Sequence, residues 1–560
     1  GRLLRRYRWA VAATSVLILS LGVGLASTVW QARRAQNEAE RANAVRDFLV
    51  SLFETAEADK PRDLRPTPEE IVESGGDRIL ADRDMPLETR ADLLAVLARV
   101  AVSMGANAQP LTAALLPMSD ELYEQTDPRW IRARSLHALA LLDDRHPAQV
   151  VQLLEPLRED LLRRGGAPAI EVLLTLSNAM SQQGAGSEEV LALQREVSEL
   201  AMRDAQSDPR SAFQALISEA EHLAALHRFK ESVQRAEFAL EFQKANSLPL
   251  SKELVRLHGS IGNSASSLGD VARGEAAYRE AIALSERMYG RPHRDTAWFV
   301  GLLGSYLVSL GRLAEAEPYV QRGLTMRRDL LGDAHPDTLF AMAALARLRA
   351  AQNRMDEALT VLSEGVSTCT RTALLHDACV RVLQTRGRMY AVQSKFAFAE
   401  ADLNAAIALQ RKVSGEDGAM VASQFAHLAD LQRRMGRYDE TIVTANYSLD
   451  LFDKAGGGHW GDVAIARSQR AWANLELGRV QDALAEITEV ESAFSERAAG
   501  NLPVRIGMLS VRARALSKSA RNDEAKLVAA EALTLVEQAP ATDAAMVAGL
   551  ERLARTGQGY

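Results

Sequence analysis

The residues that most suggest chemistry are His293, Arg294 and Asp295, which open the stretch HRDTAWFVG. In enzymes that transfer phosphoryl groups, an aspartate in this context accepts the proton of the attacking hydroxyl. Such a site also needs an asparagine five residues after the aspartate to hold a metal ion, and that position is Val300. The chain has no Asp-Phe-Gly sequence to hold a second metal ion. The sequence therefore predicts no phosphoryl-transfer site in these residues.

Metal and hydrolase chemistry also lack a motif. The 10 histidines are scattered, without the His-Glu-x-x-His or Cys/His spacing of a metal site, and no Gly-x-Ser-x-Gly is present. The net charge is −7 over 560 residues, with basic and acidic residues interspersed, which argues against nucleic acid as a partner. We expect no cofactor, no metal and no catalytic residue in this chain.

The two cysteines, Cys369 and Cys379, lie near the end of one predicted helix and the start of the next. Their Cα atoms could approach to the separation of about 5.5 Å that a disulfide needs. An oxidising compartment would permit that bond. Two unpaired buried thiols are the alternative, which the sequence leaves open.

The elements that must position these residues repeat about every 42 residues. A small residue stands seven positions before each repeat's turn and another stands five positions after it, because antiparallel helices approach closely only where neither carries a bulky side chain. The pattern predicts helix-turn-helix units whose glycine or asparagine turn residues adopt a left-handed conformation. The turn positions are His227, Gly269, Gly311, Asn353, Ser394, Gly436, Gly478 and Ala520.

The same period explains the residues at 293–295. One repeat later stands His335-Pro336-Asp337-Thr338, again in the loop before a first helix. We expect the aspartate and threonine of these loops to satisfy free backbone N–H groups where the helix begins. His293 is therefore predicted to be a loop residue.

The 42-residue pattern resembles the tetratricopeptide repeat in the form found in kinesin light chains and many bacterial proteins. The predicted fold is all-α, a single transmembrane helix followed by a solenoid of helical hairpins (an α-α superhelix). The predicted organisation is a basic flank at 1–8, a membrane helix at 9–30, juxtamembrane helices and a linker at 31–86, degenerate repeats at 87–204, repeats of about 42 residues at 205–540, and a closing helix and tail at 541–560.

The resemblance implies that first helices line a concave groove, into which the residue after the first small position points. Arg347 and Arg388 occupy that position, and Arg433 lies three residues beyond Asp430, which also occupies it. We expect these arginines to form a cationic patch for carboxylates, with Trp472 as an aromatic anchor. The alternative is a solvated groove of Arg–Glu pairs. The eight residues at the position are Glu221, Asn263, Ser305, Arg347, Arg388, Asp430, Trp472 and Arg514.

Residues 9–30, WAVAATSVLILSLGVGLASTVW, carry no charge over 22 positions. A helix of this length is about 33 Å long, enough to cross a hydrocarbon core of about 30 Å. Four arginines precede the span and two closely follow it, which predicts a cytoplasmic N-terminus and repeats outside the cytoplasm. A cleavable signal peptide is the alternative. Ser20, Gly24 and Thr28 have the spacing of dimerising membrane helices, so we also expect a homodimer through the span and the helix after it.

The span ending in WQARRA, the segment ANAVRDFLVSLFE at 42–54 and the repeats together resemble the C-terminal half of a bacterial membrane-anchored serine/threonine protein kinase. The resemblance implies a cytoplasmic catalytic domain before residue 1, and it carries over no catalytic residue. We therefore expect a single-pass protein of the bacterial inner membrane. Its periplasmic repeats would bind a protein or peptide and signal through the span. The alternative is a membrane-tethered, non-enzymatic assembly scaffold.

Overall fold

The computed structural model describes residues 68–558, apart from 105, 144–145, 183–186, 456–459, 498–501 and 539–543, together with residues 28, 43, 46–48 and 50–51. The predicted span at 9–30 thus lies outside the described residues except for Thr28. Among the helices that are described, none is long and apolar enough to cross a membrane. Every regular element in this part of the chain is a helix, as the composition predicts. The chain divides into two compact units, 1–183 and 184–560.

The first unit contains seven described α-helices and a short 3₁₀ turn. Its core is built from leucines and alanines such as Leu94 and Leu97, which are fully buried. Phe48 packs against this core, and the guanidinium of Arg78 lies 5.6 Å from its ring. The helices are α1 Pro68–Ala81, α2 Leu87–Met104, α3 Gln109–Leu122, α4 Pro128–Asp143, α5 Pro147–Leu154, α6 Arg158–Arg164 and α7 Ala167–Gln182, with the 3₁₀ turn at Glu155–Leu157.

The second unit begins inside the last of the predicted degenerate hairpins, and its first helix, α8, packs on α9. From α9 to α24 it consists of eight hairpins, and a closing helix, α25, follows where one was predicted. The helices are α8 Ser187–Arg203, α9 Pro209–Ala225, α10 Phe229–Ala245, α11 Lys252–Leu268, α12 Val271–Tyr289, α13 Arg294–Ser309, α14 Leu313–Leu331, α15 Pro336–Ala351, α16 Met355–Thr372, α17 Asp377–Val392, α18 Phe396–Ser414, α19 Ala419–Arg434, α20 Tyr438–Lys454, α21 Trp460–Glu476, α22 Val480–Arg497, α23 Leu502–Lys518, α24 Asn522–Gln538 and α25 Ala544–Thr556.

All eight predicted turn residues have a left-handed backbone. Gly436 has φ 75° and Asn353 has φ 60°, as their residue types predict, but His227, Ser394 and Ala520 have φ values of 56°, 58° and 59°. These three residues adopt the left-handed conformation although they are not glycine, because this conformation ends the first helix of the hairpin. At Asn353, for example, the next N–H, that of Arg354, donates to the Arg349 carbonyl at 2.8 Å. Each second helix begins two residues after its turn, so the predicted register is confirmed.

The small residues lie where the two helices of a hairpin cross. Ala346 and Ala358 are fully buried, and so are their equivalents Ala471 and Ala483. At Gly304 a Cβ would lie 2.9 Å from the backbone nitrogen of Val320 on the partner helix. The predicted reason for the small residues, close approach of the two helices, is confirmed.

The loops that precede α13, α15 and α17 differ from the prediction. The residue that accepts a hydrogen bond from the start of the helix is the histidine, not the aspartate or threonine. His293, His335 and His376 each accept a backbone N–H two residues ahead at Nδ1, over 3.2, 3.1 and 3.0 Å. Thr338 instead donates to the Gly332 carbonyl of the preceding loop at 2.8 Å. The imidazole reaches the free N–H first because His335 stands at the cap position itself.

Candidate partner-binding surface

The first and second helices of the hairpins lie on different sides of the second unit. The first helix of one hairpin contacts the first helix of the next hairpin in six of the seven neighbouring pairs. Among the described residues, the second helices of neighbouring hairpins make no contact of comparable extent. Helices in direct contact lie closer together, so the first helices form the inner side. We call this side the inner face. It carries the residues Glu221, Asn263, Ser305, Arg347, Arg388, Asp430, Trp472 and Arg514.

Towards both ends of the inner face, the charged residues are paired within the chain. Glu221 accepts two hydrogen bonds from Arg256, the shorter of 2.6 Å. Arg514 lies 3.4 Å from a carboxylate oxygen of Glu476. These parts of the face therefore match the predicted alternative, a groove of Arg–Glu pairs.

The middle of the inner face is different. Arg347 of α15 and Arg388 of α17 are both exposed, and in the described part of the chain neither has a carboxylate within ion-pair distance. Arg381, two helical turns before Arg388, is also exposed, and among the described residues it donates only to the Gln384 amide oxygen, at 3.2 Å. We call Arg347, Arg381 and Arg388 the arginine cluster.

The electrostatics of the cluster are those of a partly enclosed surface. Desolvation lowers the pKa of Arg347 to about 10, with smaller contributions from the positive charges of Arg381 and Arg388. Desolvation also lowers the pKa of Arg388, against the attraction of Asp430. Side chains that water reaches but does not surround lie in a concavity. The positive charges of the cluster repel one another.

Arg433 does not join this cluster, contrary to the prediction. Its guanidinium donates to Asp430 at 2.8 Å and to the Gln469 amide at 2.5 Å, and it lies 4.6 Å from the centre of the Trp472 ring. Arg514 lies over the same ring at 4.8 Å. Trp472 is therefore stacked by two arginines and is only half-exposed, so neither Arg433 nor Trp472 is free to anchor a partner in this state.

His427 of α19 lies beside the cluster and is buried. Burial, followed by the charge of Arg388, lowers its pKa to about 3, so the imidazole is neutral at physiological pH. One turn further along α19, Asp430 is held ionised by Arg433 and Arg434, and its pKa lies well below its usual range. The neighbourhood therefore offers cations and a neutral imidazole, and Asp430, one of the two carboxylates that act on Arg388, is already paired.

Sequence reasoning missed Arg381, although a signal for it exists. It stands seven residues before Arg388, so the two lie on the same face of α17. The equivalent positions of the two preceding hairpins hold Trp298, which is 44% exposed, and Phe340. A second column of residues, seven positions before the first, would have shown two aromatic residues followed by the basic Arg381.

The cysteines lie close to the cluster. Cys369 of α16 is bonded to Cys379 of α17, with Cα atoms 5.8 Å apart and both side chains buried. The bond closes the loop that leads into the helix carrying Arg381 and Arg388. Within the described ranges, no group of three or more His, Cys, Asp or Glu side chains is placed to hold a metal ion. Chemically, the exposed guanidinium groups of the inner face are suited to an anionic group.

These features define an all-α helical repeat protein built from helical hairpins. Residues 253–329 and 299–370 match the tetratricopeptide repeat family. No curated protein matches the chain significantly in sequence.

Several solved structures resemble the chain. BtubC (BKLC) from P. vanneervenii is 20% identical over 41% of this chain and 92% of its own, with a TM-score of 0.34. A putative kinesin light chain repeat protein from Podosopora anserina is 18% identical over 36% and 95%, with a TM-score of 0.30. A Rap protein complexed with competence and sporulation factor is 12% identical over 67% and 99%, with a TM-score of 0.46.

Proposed function

We propose that the second unit is a protein-binding repeat array whose inner face takes an acidic peptide segment at the arginine cluster. The observation that carries the proposal is that Arg347 and Arg388 are exposed without a carboxylate partner, on a face whose other charged positions are paired. A guanidinium binds a carboxylate through two parallel hydrogen bonds, so three of them on adjacent helices suit a run of acidic side chains.

The test is the affinity of the purified repeats for a fluorescein-labelled octaglutamate with an amidated C-terminus, measured by anisotropy. An octaglutamine of the same length controls for backbone contacts. We expect octaglutamate to bind, octaglutamine not to bind, and Arg388→Ala or Arg347→Ala to weaken binding by about tenfold each, since a hydrogen bond to a charged group contributes about 1.5–3 kcal/mol.

The matched control is Arg354→Ala. Arg354 is also an exposed arginine, but it lies in a hairpin turn and pairs with Glu357 at 2.6 Å. Its loss should leave the affinity unchanged. Equal affinity of the Arg354, Arg347 and Arg388 variants for octaglutamate would rule out the cluster as the binding site.

We also propose that the array is membrane-tethered and is the periplasmic sensor half of a serine/threonine protein kinase. The support is the uncharged stretch at 9–30, the excess of arginines before it and the segment at 42–54. The alternative is a tethered scaffold without an enzymatic part. The intact mass and N-terminal sequence of the natural protein extracted from membranes distinguish the two. A product of well over 61.0 kDa that labels itself with phosphate from ATP is expected for the kinase, and a membrane product starting near Gly1 would indicate the scaffold.

A further inference from the structure

One buried cation in the second unit forms no ion pair with the residues that the structure describes. Arg327 of α14 is 6% exposed, and its only described hydrogen bond runs from Nη1 to the Gly323 carbonyl of its own helix, at 3.3 Å. Asp337 is close enough to favour the charged form but makes no ion pair with it, and desolvation still lowers the pKa of Arg327. A guanidinium has five N–H donors, and among the described residues the other donors of Arg327 have no protein acceptor within hydrogen-bond distance.

The surroundings of Arg327 are shaped to hold it there. A Cβ at Gly301 of α13 would lie 2.6 Å from Nη1 and 2.9 Å from Nη2, and a Cβ at Gly323 would lie 3.2 Å from Nη1. Two glycines thus leave the space that the guanidinium fills. Trp298, on the same face of α13 as Gly301, lies with its ring centre 5.9 Å from the guanidinium carbon. Because Trp298 is 44% exposed, the cation lies directly beneath the inner face.

The equivalent residues of four neighbouring hairpins each make a hydrogen bond or a covalent bond within the chain. Gln243 donates to the Leu248 carbonyl at 2.5 Å, and Ser285 shares a hydrogen bond of 2.6 Å with Thr296. Cys369 forms the disulfide. Gln410 donates to a side chain at the start of the preceding first helix, at 3.0 Å. At Arg327 the chain instead places a buried charge that has one backbone acceptor and, among the described residues, no carboxylate within ion-pair distance.

We propose that Arg327 and Trp298 form a second carboxylate site on the inner face, which binds an acidic side chain of the partner peptide. This proposal rests on the proposed function, because the site lies one hairpin before Arg347 on the same face. First helices that pack together are about 8–10 Å apart, so two steps, from α13 to α17, cover roughly 20 Å. An extended octapeptide spans about 26–29 Å. One acidic segment can therefore engage Arg327 and the arginine cluster together.

The test compares Arg327→Met with Arg322→Met, using the amidated octaglutamate and thermal unfolding. Arg322 lies on the same helix but is exposed and pairs with Glu286 at 2.5 Å. Removing an uncompensated buried charge should raise the melting temperature of the ligand-free protein, while the affinity for octaglutamate falls about tenfold. The Arg322 variant should keep its affinity. A residue with a purely structural role would give the opposite pattern, a lower melting temperature with unchanged affinity.

A second readout needs no change at Arg327. Octaglutamate should alter the tryptophan emission of the wild-type repeats, and this change should disappear in Trp298→Phe. Unchanged affinity or a lowered melting temperature in Arg327→Met would overturn the proposal, as would an emission change that survives in Trp298→Phe. If these occur while Arg388→Ala still loses affinity, the arginine cluster stands alone. If the wild-type protein does not bind octaglutamate, the proposed function itself fails.

Discussion

Gly304 of α13 lies directly against the backbone of Val320 on α14. A Cβ at residue 304 would lie 2.9 Å from the Val320 nitrogen and 2.8 Å from its Cγ2 atom. Backbone cannot move aside as the end of a flexible side chain can, so the separation of the two helices in this hairpin is set by the absence of a side chain.

We therefore expect Gly304→Ala to lower the free energy of unfolding by about 1–3 kcal/mol, the usual range for overpacking. Gly507 is the matched control, because it also lies inside a first helix but a Cβ there would meet nothing within 4 Å. Gly507→Ala should raise stability by about 0.5–1 kcal/mol, since alanine loses less backbone entropy in a helix. Urea unfolding of both variants checks the pair, and destabilisation of similar size in both would contradict the steric explanation.

Introducing glycine at a hairpin turn that lacks it should stabilise the protein. Ser394 adopts φ 58°, a conformation that costs L-residues about 1–2 kcal/mol. We expect Ser394→Gly to raise the free energy of unfolding by about 1 kcal/mol after the larger entropy loss of glycine is subtracted. The reverse change, Gly436→Ala at φ 75°, should lower it by a similar amount, and no atom obstructs a Cβ there. Changes of the same sign in the two variants would refute the conformational argument.

The histidines at the helix N-termini stabilise the fold through a hydrogen bond that another cap residue should be able to replace. His335 accepts the Asp337 N–H at 3.1 Å, and an alanine would leave that donor without its partner. We expect His335→Ala to cost about 1 kcal/mol, and His335→Asp to restore most of it, because aspartate is a strong cap residue. Chemical denaturation measures both. A variant with aspartate as unstable as the variant with alanine would show that the imidazole does something other than accept this hydrogen bond.

The bond between Cys369 and Cys379 joins two neighbouring hairpins. Protein purified without reductant and then unfolded should show no free thiol in a titration. The double variant Cys369→Ser/Cys379→Ser should be less stable by roughly 2–3 kcal/mol, the loop-closure contribution of a short disulfide loop. Two titratable thiols per chain would mean that the natural environment keeps the pair reduced.

His427 should make stability depend on pH. Its folded pKa is lowered to about 3 by burial and by the charges of Arg388 and Arg381, with Asp430 acting in the opposite direction. The unfolded histidine has a pKa of about 6.5, so between these values the unfolded chain binds the extra proton. Above pH of about 6.5 the imidazole is neutral in both states, so His427 does not make stability depend on pH there. Below it, the free energy of unfolding falls by up to about 1.4 kcal/mol per pH unit. In His427→Gln, the free energy of unfolding should fall less steeply with decreasing pH than in the wild-type protein. Identical pH dependence of the two proteins would disprove this role of His427.

The hairpins could be predicted from the sequence because their determinants lie in single positions. A small residue at 346 or 358, or a turn residue at 353, is needed whatever surrounds it, so the period alone indicates where the helices begin and cross. The pairing of charges could not be predicted in this way. Arg433 and Arg388 both lie on first helices, yet Arg433 has Asp430 and Gln469 within hydrogen-bond distance, whereas Arg388 has no carboxylate within ion-pair distance among the described residues. The burial of Arg327 could not be predicted for the same reason, since only the fold shows which side chains lie around its guanidinium.

The small residue of each first helix and the inner-face residue that follows it have separate duties. Ala346 is fully buried where the two helices of its hairpin cross, while Arg347 beside it is exposed on the inner face. The same arrangement elsewhere presents glutamate, asparagine, serine, aspartate and tryptophan on an unchanged backbone. An array built in this way can evolve a new specificity by single substitutions at surface positions, without passing through an unstable intermediate.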